Sequence, residues 1–157
     1  ERVDDRVREV ARAMREAMYA ARGVGLAGPQ VGFPYRLITL NLTGQPEDAH
    51  TYLNPELREA EGDEVIDEGC LSFPGLAVPL HRSTRVLVGV EDLEGQRFDV
   101  AADGLLARAF QHEIDHLDGI LIVSRLTPAE RARCSGYLKE AERRAGKARK
   151  PAGARGR

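Results

Sequence analysis

Two cysteines, Cys70 and Cys134, are all that the 157 residues contain. That count cannot build a disulfide framework, so a cysteine here is a ligand, a nucleophile or core filler, and a reducing compartment is favoured. The sequence also lacks any run of 18 apolar residues, which excludes a membrane-spanning helix. It shows no internal repeat and no signal peptide. The chain begins at Glu1 rather than methionine, which leaves room for a preceding segment, a targeting sequence included. What is present is ordinary: 42% hydrophobic and 31% charged residues, enough for one hydrophobic core and too apolar for wholesale disorder.

The net charge of −2 conceals an asymmetry. Residues 131 to 157 carry ten Lys or Arg against two Glu, a balance of +8. Residues 1 to 130 carry 13 basic against 23 acidic residues, a balance of −10. An acidic body therefore ends in a basic tail.

Periodicity assigns the elements. Val3, Val7, Val10, Met14 and Met18 recur every three or four positions, predicting an amphipathic helix over 3–21 stopped by Gly23. "GVGLAGPQ" (23–30) reads as a loop and "YRLITLNL" (35–42) as a strand. "EVIDEGCLSFPG" (64–75) is extended up to a Pro-Gly turn, and "TRVLVGVED" with "RFDVAA" forms a hairpin. Asp103 is a fair N-cap for a helix from about Leu105 to Leu117, with Gly119 beyond its end. "ILIVSRL" is a candidate last strand, "TPAERARCSGYLKEAERRAGKARK" starts as a helix, and "PAGARGR" is expected to be disordered. The sum is an α+β domain of antiparallel strands with helices packed on them.

Within "AFQHEIDHLDG" (109–119), His112 and His116 stand at i and i+4 and so share a helix face, where both imidazoles can grip one ion. Glu113 lies about 100° further round, close enough to take a proton from water that such an ion activates. The plainer alternative is a charged surface helix that contains histidine. Two imidazoles leave a catalytic ion one protein ligand short. Downstream carboxylates are Glu130, Glu140 and Glu142, the last two in the basic tail; upstream, Cys70 in "EGCLS" offers a thiolate, unless it is only a small buried hydrophobe. Gln30 closes the glycine loop, where its amide could donate to a developing oxyanion, or the loop simply turns.

Together "GVGLAGPQ", "EGCLS" and "QHEIDH" resemble the peptide deformylase family, which carries G-x-G-x-A-A-x-Q, E-G-C-L-S and Q-H-E-x-D-H in that order. The resemblance covers roughly residues 3 to 125. It implies a catalytic domain over 1–126, antiparallel strands around a central HExxH-bearing helix, and a C-terminal helix with a basic, partly disordered tail over 127–157. It implies that Cys70, His112 and His116 hold a divalent metal, ferrous iron foremost, with zinc, nickel or cobalt accepted. By the same resemblance Glu113 is the general acid/base, while Gln30 and the Leu71 N–H meet the oxyanion. The implied substrate is the formyl-methionine start of a nascent peptide, and the implied location is the bacterial cytoplasm or an organelle.

Two departures stand out: Gly28 replaces the usual alanine, and Ser124 stands where an acidic residue is common. Family chains also usually start further upstream, so a leading strand is expected to be missing. Val24, Gly25, Leu26, Phe73 and Phe110 are candidates for the methionine slot, each with ordinary core packing as the alternative, and Ile114 belongs more readily to the core; Glu68 and Asp115 either orient the imidazoles or are explained equally well by solvation or a structural ion pair. Lys139, Arg143, Arg144, Lys147, Arg149 and Lys150 give the tail two readings, a solvated terminus or a dock for ribosomal RNA. Competing with deformylation are a zincin-type metallopeptidase and a silent family member that binds without turnover.

Overall fold

A computed structural model describes residues 3–148, with side chains as far as residue 144. Helix α1 spans Asp5–Ala20, and its cap is Asp4, which accepts from the Val7 N–H at 2.9 Å. Val7, Ala11, Met14 and Met18 form the buried stripe that the periodicity predicts. The chain leaves the helix through Arg22 in the left-handed region, φ 53°.

The segment read as a loop is more ordered than its glycines suggest. Gly25–Ala27 is strand β1, antiparallel to β2 (Leu37–Leu40), and Gly28–Val31 is a 3-10 turn. Three residues are too few to show an alternation, so the pattern could not reveal the strand. Gly28 is fitted to its surroundings: a Cβ there would stand 2.7 Å from the Phe33 carbonyl and 2.8 Å from that of Tyr35. The departure from alanine thus matches a close return of this chain's own backbone.

Strands β3 (His50–Glu61), β6 (Arg85–Glu91) and β7 (Arg97–Asp103) complete a five-stranded antiparallel sheet in the order β1-β2-β3-β6-β7. Strand β3 carries little strand signal, because Pro55 interrupts it and its second half is charged. A register shift between Leu53 and Glu56 accommodates the proline, and a second follows between Leu57 and Glu59. Strands β4 (Glu64–Cys70) and β5 (Phe73–Arg82) make a separate two-stranded sheet. The expected Pro-Gly turn is therefore displaced: the chain reverses at Leu71-Ser72, and Pro74 and Gly75 lie within β5.

Helix α2 (Gly104–Leu117) begins one residue before its predicted start, with Asp103 at the N-cap position and Gly119 at φ 74° beyond its end. Its Ala107, Phe110 and Ile114 pack on Ile38, Leu40, Val86 and Val88 of the large sheet. Met14 and Met18 of α1 bury Leu26, Leu37 and Leu53. Ile122–Arg125 is a 3-10 turn rather than a last strand, because Ile122 and Val123 plug into the small sheet beside Val78 and Leu80. The C-terminal helical region is two helices, α3 (Pro128–Arg133) and α4 (Ser135–Ala148). Thr127 and Glu130 form a reciprocal cap on α3. Helix α4 is anchored where the Tyr137 hydroxyl donates to the Pro74 carbonyl at 2.8 Å. Residues 149–157, including the "PAGARGR" tail and the basic Arg149 and Lys150, lie outside the described residues. This is the α+β arrangement expected, with α2 at its centre.

Candidate active site

Helical spacing sets His112 and His116 one turn apart on α2, while the small sheet brings in Cys70 from the end of β4. Nε2 of His116 lies 3.1 Å from Cys70 Sγ and 3.1 Å from Nε2 of His112. All three donor atoms fall within 4.8 Å of one another. Donors around one tetrahedral ion at about 2.0–2.3 Å stand roughly 3.3–3.6 Å apart, so the cluster fits a single ion with little adjustment. Among the described residues no downstream carboxylate joins it: Glu140 is engaged by Arg143 and Arg144, and Glu130 caps α3.

Charge at the cluster is arranged for metal binding. Burial opposes a thiolate at Cys70, yet hydrogen bonds from His112, His116 and the Ser72 N–H hold its pKa down at about 5. Glu68 Oε1 lies 2.5 Å from His112 Nδ1, which leaves Nε2 of that ring to face the cluster. Desolvation would raise the Glu68 pKa, but His112 and Arg82 outweigh it and hold the carboxyl at about 2. Arg82, at 3% exposure one of the most buried charges described, bridges both Glu68 oxygens and Asp115 at 2.6–2.9 Å. Asp115 also accepts two bonds from Arg125. Of its two readings Asp115 takes the structural ion pair: among the described residues it hydrogen-bonds no imidazole, and it holds the arginine that holds Glu68.

Glu113 is 3% exposed, and its Oε2 is buried with no hydrogen-bond partner. Burial is the largest influence on it and raises its pKa to about 7, against the pull of His112 and His116. A carboxylate poised near neutrality suits a group that takes and returns a proton. Gly25 makes room for it, since a Cβ there would collide with the Glu113 carboxylate. The Gln30 amide is oriented through its oxygen, which accepts from the Ala27 N–H at 2.8 Å. Its Nε2 donates to Ser72 Oγ at 3.0 Å and reaches to 3.8 Å from Cys70 Sγ. Leu71, 38% exposed, sits in the turn immediately after Cys70.

A cavity of about 440 Å³ opens beside these groups, lined by Val24, Gly25, Leu71, Phe73 and Leu105 among others. Two candidates for the methionine slot are corrected. Phe110, at 0% exposure, points into the main core against Tyr52. Leu26 is packed under α1, because β1 turns it opposite to Gly25. Ile114 likewise belongs to the core. Sequence reasoning missed Arg82 and Arg108. Arg108 could have been found, since it stands four residues before His112 on the same helix face; Arg82 could not, since only the hairpin register delivers it.

The polypeptide deformylase family model matches residues 1–132. A peptide deformylase of Dictyoglomus thermophilum is 46% identical over 125 residues, covering 80% of each chain. That of Chromobacterium violaceum is 41% identical over 130 residues, covering 83% of this chain and 78% of the relative. The crystal structure of a Legionella pneumophila peptide deformylase superposes with a TM-score of 0.85 at 38% identity, covering 96% of this chain and 88% of that one. A Plasmodium falciparum peptide deformylase superposes at 0.90 with 30% identity, covering 96% and 90%.

Proposed function

The chain belongs to the polypeptide deformylase family, metal-dependent hydrolases that remove the N-formyl group from the formyl-methionine of nascent polypeptides and release formate, and on that premise we propose how its own residues divide the work. Cys70, His112 and His116 would hold one divalent ion, which when bound supplies a Lewis acid for the water and the formyl carbonyl. Glu113 takes a proton from the attacking water. The water oxygen bonds to the formyl carbon, and the carbonyl electron pair moves to the formyl oxygen. Gln30 Nε2 and the Leu71 N–H donate to that oxyanion; losing one such donor typically costs about 10²–10³ in turnover. Glu113 then returns its proton to the amide nitrogen, the C–N bond breaks, and free amine and formate leave. The carrying observation is the unpartnered carboxylate of Glu113 beside the three-donor cluster. Formate release from a formyl-Met peptide under oxygen-free conditions tests it, with no release as the refuting result.

Val24, Gly25 and Phe73, which line the cavity, are the residues we assign to the methionine side chain. Ferrous iron is the ion we assign; a thiolate with two imidazoles suits it, as it suits zinc. Protein purified without oxygen should carry close to one iron per chain, and Cys70→Ala should lose most of it. A full metal complement in that variant removes the cysteine from the ligand set.

The basic C-terminus is proposed to dock on ribosomal RNA, and the enzyme to work in a bacterial cytoplasm, as its bacterial relatives suggest. What supports docking is the +8 balance of residues 131–157 and the seat of α4 beside the cavity through Tyr137 and Pro74. Co-sedimentation with ribosomes should fall steeply as salt rises. Binding that is indifferent to salt, or to deletion of the tail, overturns this.

A further inference from the structure

Among the described residues two buried side-chain polar atoms lack a hydrogen-bond partner, Glu113 Oε2 and Arg108 Nε, and both residues line the same cavity. A desolvated polar group left unpaired costs about 1–3 kcal/mol, and such groups call for an explanation. Glu113 has one in the reaction. Arg108 forms no ion pair or hydrogen bond with the described residues, unlike Arg82 and Arg125, which are held by Glu68 and Asp115. Arg108 is half-buried, and no group of the described fold satisfies its buried Nε.

We propose that Arg108 is a substrate-binding residue, whose guanidinium donates to an oxygen acceptor of the peptide on the C-terminal side of the formyl-methionine. Acceptor chemistry decides between this and the methionine side chain. Arg108 lies one turn before His112, about 6 Å along the axis, and both residues line the same cavity. That offset is about two residue lengths of extended peptide at ~3.3 Å each. A thioether is a weak acceptor, whereas a carbonyl or carboxylate oxygen is a strong partner for guanidinium. Arg22 lines the same cavity and adds positive charge, while Asp67 on its wall opposes it.

The acceptor comes from the peptide main chain or from an acidic side chain, and two substrate series separate these. The inference rests on the deformylase reading, so every arm uses the metal-loaded enzyme and formate release. The first series compares formyl-Met methylamide with formyl-Met-Ala-Ser amide. The second compares peptides carrying Glu or Gln at the second and third positions. Wild type should gain about 5–20-fold in kcat/KM with length, or with Glu over Gln, chiefly through KM. Arg108→Gln should collapse the affected ratio toward one, and Arg108→Lys should restore part of it, which a purely structural role would not do. A collapsed length ratio identifies the carbonyl, and a collapsed Glu/Gln ratio identifies the carboxylate. Ratios equal in wild type and Arg108→Gln overturn the proposal. No formate from any substrate would instead refute the deformylase reading.

Discussion

Glu113→Ala is expected to lower kcat on a formyl-Met peptide by about 10²–10⁴, the usual contribution of a positioned acid/base, while the metal content stays near that of wild type. The carboxylate is not in the three-donor cluster, so its loss should not empty the site. Its buried Oε2 has no partner among the described residues, so removing it deletes an unsatisfied group rather than a bond. The thermal midpoint should therefore hold or rise, the trade expected where a site is kept unstable for chemistry. Glu113→Gln, which keeps the volume beside Gly25, should be as inactive as alanine. Full turnover in either variant would remove the residue from the mechanism. Loss of metal together with activity would make it a ligand instead.

Arg82→Met should produce the largest loss of stability. Its guanidinium is buried between Glu68 and Asp115, and removing it leaves two carboxylates facing each other without their shared cation. Breaking a buried pair in this way typically costs about 3–5 kcal/mol. For a chain of this size about 2–4 °C accompanies each kcal/mol, so calorimetry should find a midpoint roughly 6–20 °C lower. Residual kcat should fall as well, because Glu68 is what orients His112. A midpoint within two degrees of wild type, on the scale of that relation, would show that Arg125 and His112 satisfy the two acids unaided.

The sequence revealed what is local and periodic. The methionine stripe of α1, the β6-β7 hairpin and the His112–His116 pairing on α2 are repeats of a single element, and the structure has them within a residue or two. Cys70 was legible because few thiols compete for the role and its neighbours form a motif. What stayed hidden depends on how distant segments meet. Phe110 and Leu26 look as suitable for a pocket as Phe73, and only the packing of α2 on the sheet and of α1 on β1 turns them inward. Asp115 sits beside a ligand in sequence yet is taken up by Arg82 and Arg125 rather than by an imidazole. The 3-10 turn at Ile122 has the composition of a strand, but its apolar side chains fill a socket on the small sheet instead of pairing with it.

Among the described residues the β4-β5 hairpin forms no ladder with the five-stranded sheet. It is fastened to α2 by side chains at three places, the Glu68–Arg82–Asp115 bridge, the contact of Glu68 with His112 and the donor set of Cys70 with His112 and His116, and it shares an apolar seam with the Ile122 turn. A lone two-stranded ribbon is at best marginal in water. Chelation therefore does more than disarm the enzyme: it takes out one of these rivets, and amide exchange in residues 64–82 should quicken well before the chain as a whole melts.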